Sequence, residues 1–156
     1  MKQYKMREKP VKLLLITSAI FSIILYSCGN IHNSPDGAVV AFIVAAEQRD
    51  MTKAWNILSP DLQTYYNGLG EKMRKSGRGA LENEIARITK FRSVKKDYRI
   101  VKDTSNSNNV MLVTIGGPTH LIEMIDAGGD FKIKDEKSLH NLLDGITAEA
   151  NKKESY

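Results

Sequence analysis

The residue types that most often carry out chemistry in proteins are few in this sequence and widely spaced. The chain has one cysteine, Cys28, and three histidines, at positions 32, 120 and 140. No nucleophile lies beside a base, no carboxylates form an acid–base pair, and no His or Cys residues have metal-ligand spacing. His120 and Asp126 fall at opposite ends of one predicted strand, about 20 Å apart at about 3.3 Å per residue, and cannot act together. The sequence therefore predicts no catalytic residue, no metal site and no cofactor.

Cys28 ends the longest apolar stretch of the chain, LLLITSAIFSIILYSC. A bilayer-spanning helix needs about 20 apolar residues, and this run is shorter. A core helix normally has a polar face, which the run lacks. Five basic residues against one acidic residue precede the run. A basic stretch, a short apolar stretch and small residues near a cleavage point are typical of a secretory signal peptide.

The residues around Cys28 resemble the lipobox of bacterial lipoproteins. Leu25 and Ser27 fit the −3 and −1 positions, whereas Tyr26 at −2 is bulkier than the usual residue. The resemblance implies cleavage before Cys28, diacylglycerol on its sulfur and acylation of the new amine. Two or more acyl chains anchor a protein stably. We therefore expect a signal peptide at 1–27, a lipidated tether at 28–34 and attachment to a membrane of the cell envelope; an uncleaved anchor and an ordinary cleaved signal are the alternatives.

The positive charge is unevenly placed. Residues 28–156 hold 18 basic and 17 acidic groups, so most of the net charge of +5 lies in the first 27 residues. Between Lys72 and Lys102, however, basic residues outnumber acidic ones by eight. The sequence predicts that four residues there contact anionic lipid headgroups or an acidic partner: Lys72, Arg74, Lys75 and Arg78. A solvated face is the alternative, and the export signal disfavours nucleic acid as a partner.

Residues 35–150 have the pattern of one α+β domain, followed by a tail at 151–156. Ser34 and Pro35 predict the start of a first helix, with Val39, Phe42 and Ile43 on a buried face that Val40 and Val44 widen. A short second helix follows, with Thr52 as its cap and Trp55, Ile57 and Leu58 turned inward. A third helix is predicted to end at Gly68, and GLGEKMRKSGRGA is predicted to be a loop. Leu81, Ile85 and Ile88 indicate a fourth helix.

Four short runs after Ser93 predict strands of an antiparallel meander: VKKDYRIVKD, VMLVTI, HLIEMID and DFKIKD. Leu139, Leu142, Leu143 and Ile146 then have helical spacing, although Gly145 costs a helix about 1 kcal/mol relative to Ala. Helices followed by strands indicate an α+β fold in which the N-terminal helices pack on a curved, cone-like antiparallel sheet, with a C-terminal helix added.

Three segments resemble the nuclear transport factor 2-like superfamily, and in particular its small lipid-anchored members of unknown function. PDGAVVAFIVAAEQRDMTKAWNILSPDLQ resembles the opening helices, ITKFRSV the element that leads into the sheet, and GGDFKIKD the closing strand, with Phe131 where Trp is common. The match covers residues 35–134, and the terminal helix lies outside the usual pattern. The resemblance implies a cone-shaped α+β domain.

Two functions follow from these features. The first is a non-catalytic binding domain for an envelope protein or a small apolar ligand, with a pocket lined by Trp55, Tyr65, Phe91 and Met111. The second is an enzyme that uses the pocket of the cone. By the superfamily resemblance, the residues available to that enzyme would be His120, Glu123, Asp126, Tyr65, Tyr66 and Tyr98. Because the sequence shows no acid–base pair and no nucleophile beside a base, it favours the binding domain over the enzyme.

Overall fold

The computed structural model describes residues 33–89 and 98–147, which form an α+β domain. Its elements in chain order are α1 (Pro35–Glu47), α2 (Met51–Asn56), α3 (Pro60–Lys72), α4 (Gly77–Thr89), β1 (Tyr98–Lys102), β2 (Val110–Thr114), β3 (Thr119–Ile122), β4 (Met124–Asp126), β5 (Phe131–Ile133) and α5 (Glu136–Thr147). The predicted fold class is confirmed. The predicted signal peptide, most of the tether, Phe91 and the tail lie outside the described residues.

Helix α1 begins as its sequence predicts. The Ser34 hydroxyl accepts a hydrogen bond from the Gly37 N–H at 3.2 Å, and Pro35 occupies the first turn. Phe42 and its apolar neighbours on the same face are buried. The prediction that Val40 and Val44 widen this face is wrong, because both lie on the side turned away from the core and are 45% and 40% exposed.

The helices α3 and α4 extend into the segment predicted to be a loop. Helix α3 continues past Gly68 to Lys72, and only residues 73–76 separate it from α4. The reason is close packing, because a Cβ added at Gly70 would lie 2.8 Å from the Lys75 carbonyl oxygen. This glycine therefore allows two backbones to meet and does not end a helix. Asp50, not the predicted Thr52, caps α2 by accepting a hydrogen bond from the Lys53 N–H.

The strands form two sheets instead of one meander. Strands β1, β2 and β3 make a three-stranded antiparallel sheet, and β4 pairs with β5. The predicted strand HLIEMID is divided at Glu123, whose N–H donates to the Ser138 hydroxyl and whose carbonyl accepts from the Lys134 N–H. Because both backbone groups of Glu123 bond outside the three-stranded sheet, the chain leaves that sheet there.

The core lies between the helices and one face of the three-stranded sheet, called here the inner face. Val110, Leu112 and Ile122 project from this face and are fully buried. Helix α5 packs against β2 and β3 and contributes the buried residues Leu139, Leu142, Leu143 and Ile146. Within residues 33–89 and 98–147, no helix is both long and apolar enough to cross a bilayer.

Candidate functional site

Apolar side chains form a row on the other face of the three-stranded sheet, called here the outer face. The antiparallel register places Val101 opposite Met111 and Met111 opposite Leu121, so one residue from each strand joins the row. Val101 is 42% and Leu121 39% exposed, and Met111 is half-buried. The alternation of a strand sends these residues away from the core. The row therefore remains open to solvent.

The three described residues of the predicted pocket lie in different surroundings. Trp55 is half-buried against the core beside Gly77, Tyr65 is 45% exposed on α3, and Met111 belongs to the outer face. A groove of about 440 Å³ lies elsewhere, and Asn56, Gln63, Asp130 and Lys132 are among the residues that line it. The structure therefore does not gather Trp55, Tyr65 and Met111 around that groove.

The four predicted anionic-surface residues do come together. Lys72 ends α3, Arg74 and Lys75 lie on the connection, and Arg78 is in the first turn of α4. All four are exposed, and we call residues 72–78 the basic turn. Met73 stands among them and is 42% exposed. The basic turn is therefore a compact surface feature with four cations around one apolar side chain.

A cluster of polar side chains joins three helices, and we call it the α4–α5 cluster. The Arg87 guanidinium donates to both oxygens of Glu84, at 2.8 and 2.6 Å. His140 on α5 places its Nε2 2.8 Å from Glu84 Oε1 and 3.7 Å from Glu136 Oε1. The Tyr65 hydroxyl of α3 donates to Glu136 Oε1 at 2.9 Å.

Contacts within the α4–α5 cluster shift the pKa values of Glu84 and Tyr65. The Arg87 hydrogen bonds hold the pKa of the Glu84 carboxyl below its ordinary value of 4.5, and His140 acts in the same direction. The hydrogen bond to Glu136 raises the pKa of the Tyr65 phenol. Burial raises the pKa of neighbouring Tyr66, with further contributions from the two carboxylates. These contacts therefore favour a charged Glu84 carboxylate and protonated phenols at Tyr65 and Tyr66.

The α4–α5 cluster also has donor atoms that a metal ion could use. One atom each from Glu84, Glu136 and His140 lies within 4.8 Å of the other two. However, the Arg87 guanidinium already occupies both Glu84 oxygens, and a divalent cation would have to displace a hydrogen-bonded charge. The geometry therefore fits an ion-pair network that links α3, α4 and α5 better than it fits a metal centre.

The other titratable residues singled out in the sequence remain apart from this cluster. His120 lies on the inner face beside Gly145, Glu123 pairs with Lys134, and Asp126 accepts a hydrogen bond from the Gly129 N–H in a turn. Tyr98 begins β1, where burial raises the pKa of its phenol. These side chains form no common site within the described part of the chain.

The sequence contains only part of the signal for the α4–α5 cluster. Glu136 and His140 are four residues apart, which is the spacing of neighbours on one helix face. Glu84 and Arg87 have similar spacing on α4, but nothing in the sequence indicates that the two helices meet. The tertiary contact between α4 and α5 was needed to bring these pairs together.

Comparisons of the chain with family models, with characterised proteins and with solved structures find no match. The resemblances to the lipobox and to the nuclear transport factor 2-like superfamily therefore stay predictions made from the sequence.

Proposed function

We propose that this protein is a lipid-anchored bacterial envelope protein whose domain binds another protein and catalyses no reaction. The basic segment, the short apolar run and Cys28 support the anchor. The segments that resemble the nuclear transport factor 2-like superfamily support a domain of the kind used to hold ligands or partners.

The observation that carries the binding role is the apolar row on the outer face. Val101, Met111 and Leu121 continue across all three strands and remain accessible to solvent. Interaction sites on soluble proteins are often contiguous exposed apolar patches. Ile115, in the turn that follows β2, is a further apolar residue with 49% exposure.

The shape of the outer face favours a protein over a small apolar ligand. A small ligand is usually held in a concave pocket that buries most of its surface, whereas this row is open. Arg99 and Thr119 flank Val113 in the next register row, so polar groups border the apolar one. An apolar centre with a polar margin is the usual composition of a protein–protein interface.

Site-specific photo-crosslinking in the intact envelope tests the proposal. We expect a crosslinker at position 111 of the full chain to yield one discrete protein adduct, because Met111 is the middle of the row. The adduct should disappear when Leu121 is replaced by Lys, and also when Cys28→Ser releases the protein from the membrane.

The matched control places the crosslinker at Asp61, which is exposed on α3. The same adduct from position 61 would contradict the assignment of the outer face. An adduct at position 111 that survives Leu121→Lys, or that contains only lipid, would also contradict it.

The α4–α5 cluster favours a second candidate function, an enzyme. Glu84, Glu136 and His140 are groups that could transfer a proton, and Tyr65 is in contact with them. The enzyme alternative predicts that Glu136→Gln abolishes the biological activity and leaves the position-111 adduct intact. The binding proposal predicts that activity follows the adduct.

A further inference from the structure

The basic turn is a second exposed surface, and no acidic residue within 33–89 or 98–147 forms an ion pair with it. Among the described residues, no carboxylate lies within ion-pair distance of Lys72, Arg74, Lys75 or Arg78. The hydrogen bonds of the last two go to neutral oxygens, Asn83 Oδ1 and Thr52 Oγ1. Their positive charge is therefore available to an anionic partner.

The shape of the basic turn is fixed by its own backbone. Arg74 adopts a left-handed conformation with φ of 55°, and the Lys75 N–H donates to the Gly70 carbonyl at 2.8 Å. The Ser76 hydroxyl accepts from the Gly79 N–H at 3.1 Å at the start of α4. Because the turn is already ordered, docking it on a partner costs little additional conformational entropy.

Two further features indicate the chemistry of that partner. The N-terminus of the 13-residue helix α4 lies at this turn and adds positive partial charge. Met73 exposes an apolar side chain among the cations. Cations beside an exposed apolar group are typical of segments that lie at a membrane interface, where charges meet headgroups and the apolar group enters the acyl boundary.

We infer that the basic turn docks on the anionic headgroups of the membrane that holds the anchor, with Met73 entering the boundary between headgroups and acyl chains. This inference rests on the proposed function, because the lipid on Cys28 is what keeps the turn beside the bilayer. Docking at this second point would fix the orientation of the domain and the direction in which the outer face is presented.

Fluorescence of the full-length lipidated protein in vesicles tests the inference. Cys28 is the only cysteine of the chain and is acylated in the proposed form, so Met73→Cys supplies one site for an environment-sensitive fluorophore. We expect a blue shift in vesicles that contain phosphatidylglycerol, and none in pure phosphatidylcholine. The shift should fade with salt as the Debye length falls from about 10 Å at 0.1 M to about 3 Å at 1 M.

Replacing the cations of the basic turn one at a time measures how much each contributes to docking. Each Lys or Arg replaced by Gln should lower the ratio of docked to undocked turn about fivefold, which corresponds to about 1 kcal/mol per cation. Replacing all four should remove the shift. The matched control is Ser107→Cys, labelled in the exposed connection between β1 and β2, which should report the same environment in both kinds of vesicle.

The outcomes separate the two proposals. Protein that does not float with phosphatidylcholine vesicles, and whose Cys28 reacts with the fluorophore, lacks the anchor, and the inference falls with it. Protein that floats but gives the same emission from position 73 with and without phosphatidylglycerol keeps the anchor and overturns the inference. A shift that persists in the four-Gln variant also overturns it.

Discussion

The two faces of strand β2 carry similar side chains and have opposite environments. Val110 and Leu112 on the inner face are fully buried, whereas Met111 between them lies on the outer face with Val101 and Leu121 exposed beside it. Burial under α5 and α1 makes the inner face a source of stability. The row of Val101, Met111 and Leu121 on the outer face is also apolar, but no element of the described residues buries it, so we assign it to binding.

The largest expected difference in stability between the two faces is that between Leu112→Ala and Met111→Ala. Removing the buried Leu112 side chain leaves a cavity under α5, and we expect a loss of about 2–5 kcal/mol. Met111→Ala should cost less than about 1 kcal/mol, since its side chain is only half-buried. Urea unfolding of residues 35–150, which contain the whole described core, would measure both. Equal losses would mean that the two faces do not differ as described.

A second test uses two helical glycines with different surroundings. A Cβ at Gly145 of α5 would overlap the Leu112 Cδ2 methyl, whereas a Cβ at Gly68 of α3 would meet nothing within 4 Å. We expect Gly145→Ala to destabilise by about 1–3 kcal/mol through overpacking. Gly68→Ala should stabilise by about 0.5–1 kcal/mol through helix propensity. Thermal melts would decide, and a stabilised Gly145→Ala would show that α5 lies farther from the sheet.

The α4–α5 cluster gives a pH-dependent test. The pKa of Glu84 is lower in the folded protein than its ordinary value of 4.5, so folding favours the charged carboxylate. Its stabilisation is complete above pH 4.5 and is lost as the pH falls through the lowered value. We expect Glu84→Gln to cost at most about 1 kcal/mol at neutral pH and nothing in stronger acid. Glu82→Gln, exposed on the same helix, is the control; a cost for Glu84→Gln that does not change with pH would contradict the ion-pair network.

The smallest effect on stability is expected on the outer face. Val101→Thr and Leu121→Thr replace exposed apolar surface on strands, and each should change the free energy of unfolding by no more than about 0.5 kcal/mol. The same substitutions should weaken the crosslink from position 111, because they remove the apolar contact proposed there. Stability and crosslinking that decline together would mean that the row supports the fold instead of a partner.

Helix-cap residues and apolar spacing predicted correctly those parts of the fold that depend only on residues close together in the sequence. Ser34 and Pro35 marked the start of α1, and the spacing of Leu139, Leu142, Leu143 and Ile146 gave the buried face of α5. The end of α3 was predicted too early because glycine is common at the C-terminal end of a helix, and Gly68 was taken as that end. The close contact at Gly70 between α3 and the turn that leads to α4 is tertiary and was not visible in the sequence. The break at Glu123 was missed for the same reason, since its backbone partners are Ser138 and Lys134.

The candidate surfaces also differ in how far the sequence alone could predict them. The basic turn was visible in the sequence because its four cations are close neighbours along the chain. The outer face required the strand register that aligns Val101, Met111 and Leu121. The α4–α5 cluster required the meeting of two helices about 50 residues apart, which no rule of periodicity supplies.

Mass spectrometry of the N-terminus of the native protein would show whether Cys28 is lipidated, and both the binding role and the docking of the basic turn depend on that attachment. We expect a mature chain that begins at Cys28 and carries a diacylglycerol group on its sulfur and an acylated amine. A chain that retains Met1, or one whose Cys28 has a free thiol, would contradict it.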